Sequence, residues 1–285
     1  MEVIRTVELL REFAGTRREV ALVPTMGNLH EGHASLIEAA RKKTPNVVVS
    51  VFVNPTQFGQ GEDYESYPRT PETDAGIAEE MGAAAVFAPS VKEMYPEPQN
   101  YFVEPPALAH ELCGVTRPIH FRGVCTVVLK LLIAADPRWA FFGKKDYQQL
   151  VIVKGMARQF NLPVEIVGVE TKRASDGLAL SSRNQYLSAD ERAKAPELSR
   201  ELNVIKQCLE EPGSPAKTDC PSAAKEAAKR AAEALTRAGW GVDYVEVRNA
   251  ESLAMPQKGD KRLVALAAAR LGKTRLIDNI EIALR

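Results

Sequence analysis

The run from Asn46 to Val53, Asn-Val-Val-Val-Ser-Val-Phe-Val, constrains the fold of this chain more than any other stretch. A strand with one face in water alternates apolar and polar residues, whereas this run has no polar face and is rich in β-branched side chains. It predicts a strand buried on both sides, as in a parallel sheet covered by helices. The segment before it agrees. Val20 to Val23 is a short apolar run that stops at Pro24, Gly27 and Asn28 mark a turn, and Leu36, Ile37, Ala39 and Ala40 recur at helical spacing. This predicts a buried strand, a tight turn and a helix that starts near Glu31. A helix from about Pro71 to Met81 and a strand from Ala84 to Ala88 continue the alternation. The β-α-β-α-β order predicts a doubly wound parallel sheet.

Further along, Val124 to Ala135 reads as a buried helix, Trp139 to Phe142 as a strand, the segment up to Phe160 as a helix, and Pro163 to Thr171 as another strand. Arg173 to Tyr186 is a polar loop, and the composition shifts beyond it. Two helical stretches rich in Ala, Lys and Glu flank the Pro-containing segment from Glu210 to Pro221, which reads as a loop. Gly241 to Arg248 and Lys261 to Ala268 read as strands. Helices followed by strands predict a second, smaller α+β domain, which divides the chain into residues 1–171 and 172–285.

Composition excludes several classes. At 285 residues with 45% hydrophobic content the chain has ample material for a core. Lys+Arg and Asp+Glu both total 37, so the basic excess typical of a nucleic-acid binder is missing and an anionic ligand needs a local cluster of donors. Cys113, Cys125, Cys208 and Cys220 form no Cys-x-x-Cys pair and no zinc spacing with His, as in a reduced cytoplasmic protein. Met1 to Phe13 mixes charged and apolar residues as an amphipathic helix without a signal-peptide core. No apolar run approaches the roughly 20 residues that span a bilayer.

The turn after the first strand is the leading candidate site. A helix N-terminus carries unpaired N–H groups and partial positive charge, and so holds phosphate. His30 and His33 are three residues apart and share one face if both are helical. Two imidazoles beside an anion site suggest phosphoryl or nucleotidyl chemistry, although for a lone His pair capping or packing is the better explanation. A zinc-protease helix needs a spacing of four, and Gly27 with Gly32 is neither a Walker loop nor a dinucleotide fingerprint. In open α/β sheets ligands lie at the carboxyl ends of strands, which puts Asn54 and Gln57 at the crevice. The polar group Gly143-Lys144-Lys145-Asp146-Tyr147-Gln148-Gln149 likewise follows a strand end. Each of these groups alone also fits an ordinary helix start or turn.

Several blocks in one order carry a specific resemblance. They are Pro24-Thr-Met-Gly-Asn-Leu-His-Glu-Gly-His33, Val53-Asn-Pro-Thr-Gln-Phe-Gly59, Tyr67-Pro-Arg69, His120-Phe-Arg-Gly123, Gly143-Lys-Lys-Asp-Tyr-Gln-Gln149 and Asp176-Gly-Leu-Ala-Leu-Ser-Ser-Arg-Asn184. Val242-Asp-Tyr-Val-Glu-Val247 and Gly272-Lys-Thr-Arg-Leu-Ile-Asp-Asn279 complete the set. Together they resemble the pantoate–β-alanine ligase (pantothenate synthetase) family, within the His-x-Gly-His nucleotidyltransferase superfamily.

The resemblance implies a Rossmann-like N-terminal domain that binds ATP and pantoate, a C-terminal lid, a homodimer, and magnesium. It implies ATP-dependent ligation through a pantoyl adenylate, with β-alanine as the second acceptor. His33, His30, Lys145 and Arg183 are the implied catalytic residues, with His33 as proton donor. The implied ATP contacts are Met26, Gly27, Asn28, Leu29, His30, Glu31, Gly32, His33, Gly143, Lys144, Lys145, Asp146, Lys172, Leu180, Ser181, Ser182 and Arg183. Gln57, Gln149 and His120 are expected at pantoate, and Gln57 also at β-alanine. Met26, Phe58, Phe142, Val127 and Val128 fit either an apolar wall for pantoate or plain core. Lys172 stands where the family often has Val beside adenine. Asp74 is a candidate magnesium ligand or a helix-surface carboxylate. Two other possibilities remain at this stage: a superfamily relative that makes a dinucleotide or CDP-alcohol, which would not need the Gln57 and Gln149 pair, and a non-catalytic nucleotide-binding protein.

Overall fold

The computed structural model describes residues 1–284, apart from the side chain of Lys217. The chain forms two compact units, Met1–Lys144 with Gln148–Glu170, and Lys145–Tyr147 with Thr171–Arg285.

The first unit runs β1 (Glu2–Ile4), α1 (Val7–Gly15), β2 (Ala21–Thr25), α2 (Glu31–Arg41), β3 (Val47–Val51), α3 (Pro71–Glu80), β4 (Ala85–Phe87), the short helices α4 (Val91–Met94) and α5 (Cys113–Thr116), α6 (His120–Ala135), β5 (Trp139–Gly143), α7 (Tyr147–Gln159) and β6 (Glu165–Val169). Its sheet has six strands in the order β1-β4-β3-β2-β5-β6, with every pairing parallel. Alternate strand residues face opposite layers. Ala21, Val23, Val47, Val49 and Phe141 pack with Leu36, Ile37 and Ala40 of α2, and Leu22, Val48, Phe87 and Phe142 with Leu10 of α1, Val128 of α6 and Ile152 of α7. Phe87 and Phe141 are buried to within 1% exposure, and each such side chain contributes about 2 kcal/mol by leaving water. Strand order reverses between β2 and β5, so the turns after β2, β3 and β5 surround the position where ligands bind in such sheets.

Two readings of the N-terminal region change. Met1 to Phe13 is not one helix: Glu2–Ile4 pairs with β4 as an edge strand, and Thr6 caps α1 by accepting from Leu9 N at 3.2 Å. Three residues with Glu2 and Val3 exposed are too short to show a strand period. Strand β2 also continues through Pro24. The Ala21 N–H points to Asn46 on the β3 side, so the N–H that Pro24 lacks would face β5, whose ladder with β2 ends at Leu22. A proline is tolerated where no partner waits.

In the second unit, α8 (Ala189–Lys194), α9 (Glu197–Glu210) and α10 (Cys220–Arg237) precede an antiparallel sheet of β7 (Gly241–Asn249), β8 (Arg262–Leu271) and β9 (Thr274–Ala283). Leu198, Leu202 and Ile205 of α9 and Ala224, Ala228 and Leu235 of α10 pack on Leu263, Ala265 and Ala267 of β8. Strand β9 is absent from the sequence-based assignment. Lys145–Tyr147 belongs to this unit because the Tyr147 hydroxyl sits 3.0 Å from the Ala250 carbonyl and 2.8 Å from Glu281 Oε1, while Asn279 Nδ2 donates to the Lys145 carbonyl at 2.8 Å.

Candidate active site

In the first unit the site grows from the turn between β2 and α2. Gly27 (φ +86°) and Asn28 (φ +50°) both take left-handed backbone. A Cβ on Gly27 would lie 2.9 Å from Asp74 Oδ2 and 3.0 Å from Val51 Cγ1, so both conformation and space demand glycine. Asp74 is 1% exposed and accepts from Asn28 N (3.1 Å), Leu29 N (2.7 Å) and the Thr70 hydroxyl (3.2 Å). Asp74 is thus a buried carboxylate and not one on the helix surface. Its oxygens are turned inward on the backbone of the turn, and its role is to clamp Gly27–Leu29 in place.

His30 is the N-cap of α2, with extended backbone, and so lies outside the helix that His33 belongs to. Its Nδ1 accepts from Gly32 N at 3.0 Å, while His33 Nδ1 accepts from His30 N at 3.3 Å. The two rings lie 4.1 Å apart. This is a capping box built from imidazoles. A ring whose Nδ1 accepts a hydrogen bond carries its proton on Nε2, so each His presents an Nε2–H donor. The cap uses the Nδ1 edge of each ring.

Beyond β3, Asn54 is 1% exposed and its Oδ1 accepts from Thr56 N (3.3 Å), the Thr56 hydroxyl (3.0 Å) and the Tyr95 hydroxyl (2.7 Å). Burial pushes the Tyr95 phenol up, which keeps it a donor. With its oxygen so engaged, Asn54 turns Nδ2 to the Gly123 carbonyl (3.2 Å) and Gln57 Oε1 (3.0 Å). Gln57 must then face Met26 with its NH₂, at 3.0 Å from the sulfur. A thioether is a weak acceptor, readily exchanged for a ligand oxygen. Gly123 lets α6 approach this turn, since a Cβ there would sit 2.3 Å from the Thr56 carbonyl oxygen.

His120 stands beside Gln57. Its Nε2 lies 3.1 Å from Arg117 Nη1, which can only donate, so Nδ1 carries the proton and donates to the Gln57 carbonyl at 3.0 Å. Both ring nitrogens face protein groups, and His120 supports Gln57. Arg117 also holds Glu62 at 2.6 and 2.9 Å. Burial pushes the Glu62 carboxyl up, but the hydrogen bond and charge of Arg117, with a backbone hydrogen bond from Gly59, outweigh it and hold the group below its usual range. Of the paired amides on α7, Gln148 is buried and tied to Leu108 O, Glu111 O and Cys113 N. Gln149 is half-buried. Val127, Val128 and Phe142 are core, whereas Met26 touches Gln57. Lys144 pairs with Glu170.

In the second unit, Lys145 lies 3.8 Å from Asp146. Lys172 has an exposed side chain, and its carbonyl accepts from Leu180 N at 3.0 Å, which joins two expected ATP positions across the loop. Ser181 Oγ accepts from Arg183 N at 3.3 Å and caps the 3₁₀ turn Ser182–Tyr186. The expected residues divide between the units: His30, His33, Met26, Gln57 and His120 lie in the first, and Lys145, Lys172, Leu180, Ser181 and Arg183 in the second. The sequence placed Asn54 at the crevice without a role, gave Asp278 and Asn279 only as part of a matching block, and missed Tyr95. Asp278 and Asn279 lie inside β9, whereas Tyr95 follows the short helix α4 and carries no such signal.

Comparison with known proteins narrows the chemistry. The Pantoate-beta-alanine ligase family model matches residues 2–281. A pantothenate synthetase of Neisseria meningitidis serogroup C is 56% identical over 285 residues, covering all of both chains. The solved pantothenate synthetase of Thermus thermophilus is similar at TM-score 0.89 and 42% identity, over 98% of this chain and 99% of that one. A pantoate-beta-alanine ligase from Francisella tularensis, complexed with beta-gamma ATP and beta-alanine, aligns at TM-score 0.79 and 31% identity over 98% and 97%. Spanning almost the whole length in sequence and in fold, these likenesses show that the chain belongs to the pantoate–β-alanine ligase family.

Proposed function

We propose that this chain condenses (R)-pantoate with β-alanine to pantothenate, using ATP and passing through a pantoyl adenylate. The observation that carries the proposal is the pair of Nε2–H donors held at the start of α2 by the capping box of His30 and His33. Family membership supports the overall reaction, and the Francisella tularensis relative complexed with beta-gamma ATP and beta-alanine supports two of the three substrates.

In the first step a pantoate carboxylate oxygen attacks the α-phosphorus. The bond to the bridging oxygen breaks, and its electron pair leaves with pyrophosphate. Charge builds on phosphate oxygens, so positioning and electrostatic stabilisation dominate. His30 and His33 donate Nε2–H to those oxygens, and His33 gives its proton to the departing phosphate, which suits an imidazole near neutral pH. Lys145 adds a point charge, Arg183 a planar fork for two oxygens, and Ser181 and Ser182 hydroxyl donors. The NH₂ of Gln57 and the amide of Gln149 hold the oxygens of pantoate. In the second step the neutral amine of β-alanine, guided by Gln57, attacks the acyl carbon. The amide bond forms, AMP departs with its oxygen, and the amine loses a proton.

We assign ATP and pantoate binding to residues 1–171 and a lid role to 172–285, with Met26–His33, Gly143–Asp146, Lys172 and Leu180–Arg183 along the nucleotide. Magnesium is assigned to the triphosphate itself. Mg²⁺ is usually held by substrate phosphates and water with only one or two carboxylates, and among the described residues no cluster of three or more His, Cys, Asp or Glu is arranged to hold a metal. The homodimer rests on the family resemblance. The cytoplasmic location rests on four cysteines that form no disulfide, and no described helix is long and apolar enough to cross a membrane. Incubation with ATP, magnesium, pantoate and β-alanine tests the proposal: AMP and pantothenate in equal amounts are expected, and ADP, or AMP without the amide, contradicts it.

A further inference from the structure

The loop that bears Ser181, Ser182 and Arg183 and the segment that bears Lys145 come from distant parts of the chain, yet both are fastened to two consecutive residues of β9. Asp278 is 4% exposed and receives both arms of Arg173, Nη1 on Oδ2 at 2.6 Å and Nη2 on Oδ1 at 2.8 Å. The same guanidinium donates to the Gly177 carbonyl (3.0 Å), the Ser199 hydroxyl (3.2 Å) and the Asn279 carbonyl (3.0 Å). The base of the loop is closed above it by the bridge between Arg173 and Ala179 and by Leu180 N on the Lys172 carbonyl. Asn184 Nδ2 ties the 3₁₀ turn to Ala179 at 3.0 Å. Asn279, 6% exposed, uses its side chain differently and donates Nδ2 to the Lys145 carbonyl at 2.8 Å.

Neighbouring strand residues point to opposite faces, so one dipeptide can hold two elements on the two sides of a strand. Sheet stability does not ask for this. Opposite them on β8 stand Ala267 and Leu266, and a buried carboxylate and amide are costly unless their partners are in place. β-branched side chains at these positions would serve the sheet better. What the polar pair adds is a fixed relation between the backbone of Lys145 and the base of the Arg183 loop.

We propose that Asp278 and Asn279 are positioning residues for the adenylation step: Asn279 holds the root of the Lys145 side chain, and Asp278, through Arg173, holds the loop that carries Ser181, Ser182 and Arg183. The inference rests on the assignment of Lys145 and Arg183 to the phosphates. Misplacement of a catalytic group by about 1 Å can lower a rate about a hundredfold.

The test is a double-mutant cycle read by pantoate-dependent exchange of labelled pyrophosphate into ATP, per folded protein. Asn279→Ala is expected to slow exchange about tenfold or more in the native background, and less than about twofold once Lys145→Ala is present, because residues that act as a unit are not additive. A structural role alone would lower the unfolding temperature and give the same factor in both backgrounds, which overturns the proposal. If Asn279→Ala does not fold, Asn279→Asp keeps the shape and puts a carboxylate oxygen against the Lys145 carbonyl; the same loss is expected, and an unchanged rate overturns the proposal. Lys145→Ala with full exchange removes the assignment of Lys145, and the inference with it. Lys145→Ala impaired beside a fully active Asn279→Ala overturns the inference alone.

Discussion

The side-chain amide of Asn54 donates to the amide oxygen of Gln57 across 3.0 Å, which leaves Gln57 only N–H groups to present toward Met26. Three donors on Asn54 Oδ1 make that polarity a property of the fold rather than of the ligand. A buried amide oriented in this way selects an acceptor oxygen and avoids the cost of desolvating another charge.

Gln57→Ala should therefore raise the KM for pantoate about tenfold or more and leave the KM for ATP within about threefold, as expected for the loss of hydrogen bonds to one substrate. Steady-state kinetics with each substrate varied in turn checks this. Equal loss for both substrates means that Gln57 does not contact pantoate.

The cap that His33 supplies to α2 and the proton transfer we propose for it are separated by different variants. Gln at the same helix position can accept from the His30 N–H, as in an ordinary capping box, but cannot supply an imidazole proton. His33→Gln should keep the native unfolding temperature and slow adenylation about a hundredfold or more. His33→Ala should show the same slowing and lose in addition about 1 kcal/mol of stability with the cap. Native adenylation rates in His33→Gln would assign His33 to the helix end only.

The Glu62–Arg117 pair predicts a pH dependence. The folded-state pKa of Glu62 lies below its unfolded value, so its contribution is present above the ordinary carboxylate range and is lost as pH falls through the folded value. Glu62→Gln should be less stable than the native chain at pH 7, and the gap should close on acidification below the usual value of 4.5. Denaturant melts at several pH values test it, and a gap that widens in acid contradicts the sign.

How much of this was readable beforehand follows from the residues themselves. Strand β3 and the strand-turn-helix around Gly27 announced themselves through unbroken apolar runs and a glycine that nothing else can replace. The edge strand β1 is three residues long and has only one neighbour, so no period develops. Strand β9 carries Asp278 and Asn279 buried in its middle, and a reading keyed to apolar runs stops there. His120, Asp74 and Asn54 were visible as residue types, but their roles depend on which atoms face which partners. That is set by contacts such as Arg117 with His120 or Asp74 with Leu29, 45 positions away.

The most direct test of the central claim, that adenylation of pantoate precedes amide formation, is exchange of labelled pyrophosphate into ATP with pantoate and magnesium present and β-alanine withheld. Exchange that depends on pantoate and falls in His33→Gln is the predicted result. A folded enzyme that forms pantothenate when β-alanine is supplied, yet exchanges no label without it, contradicts the two-step account.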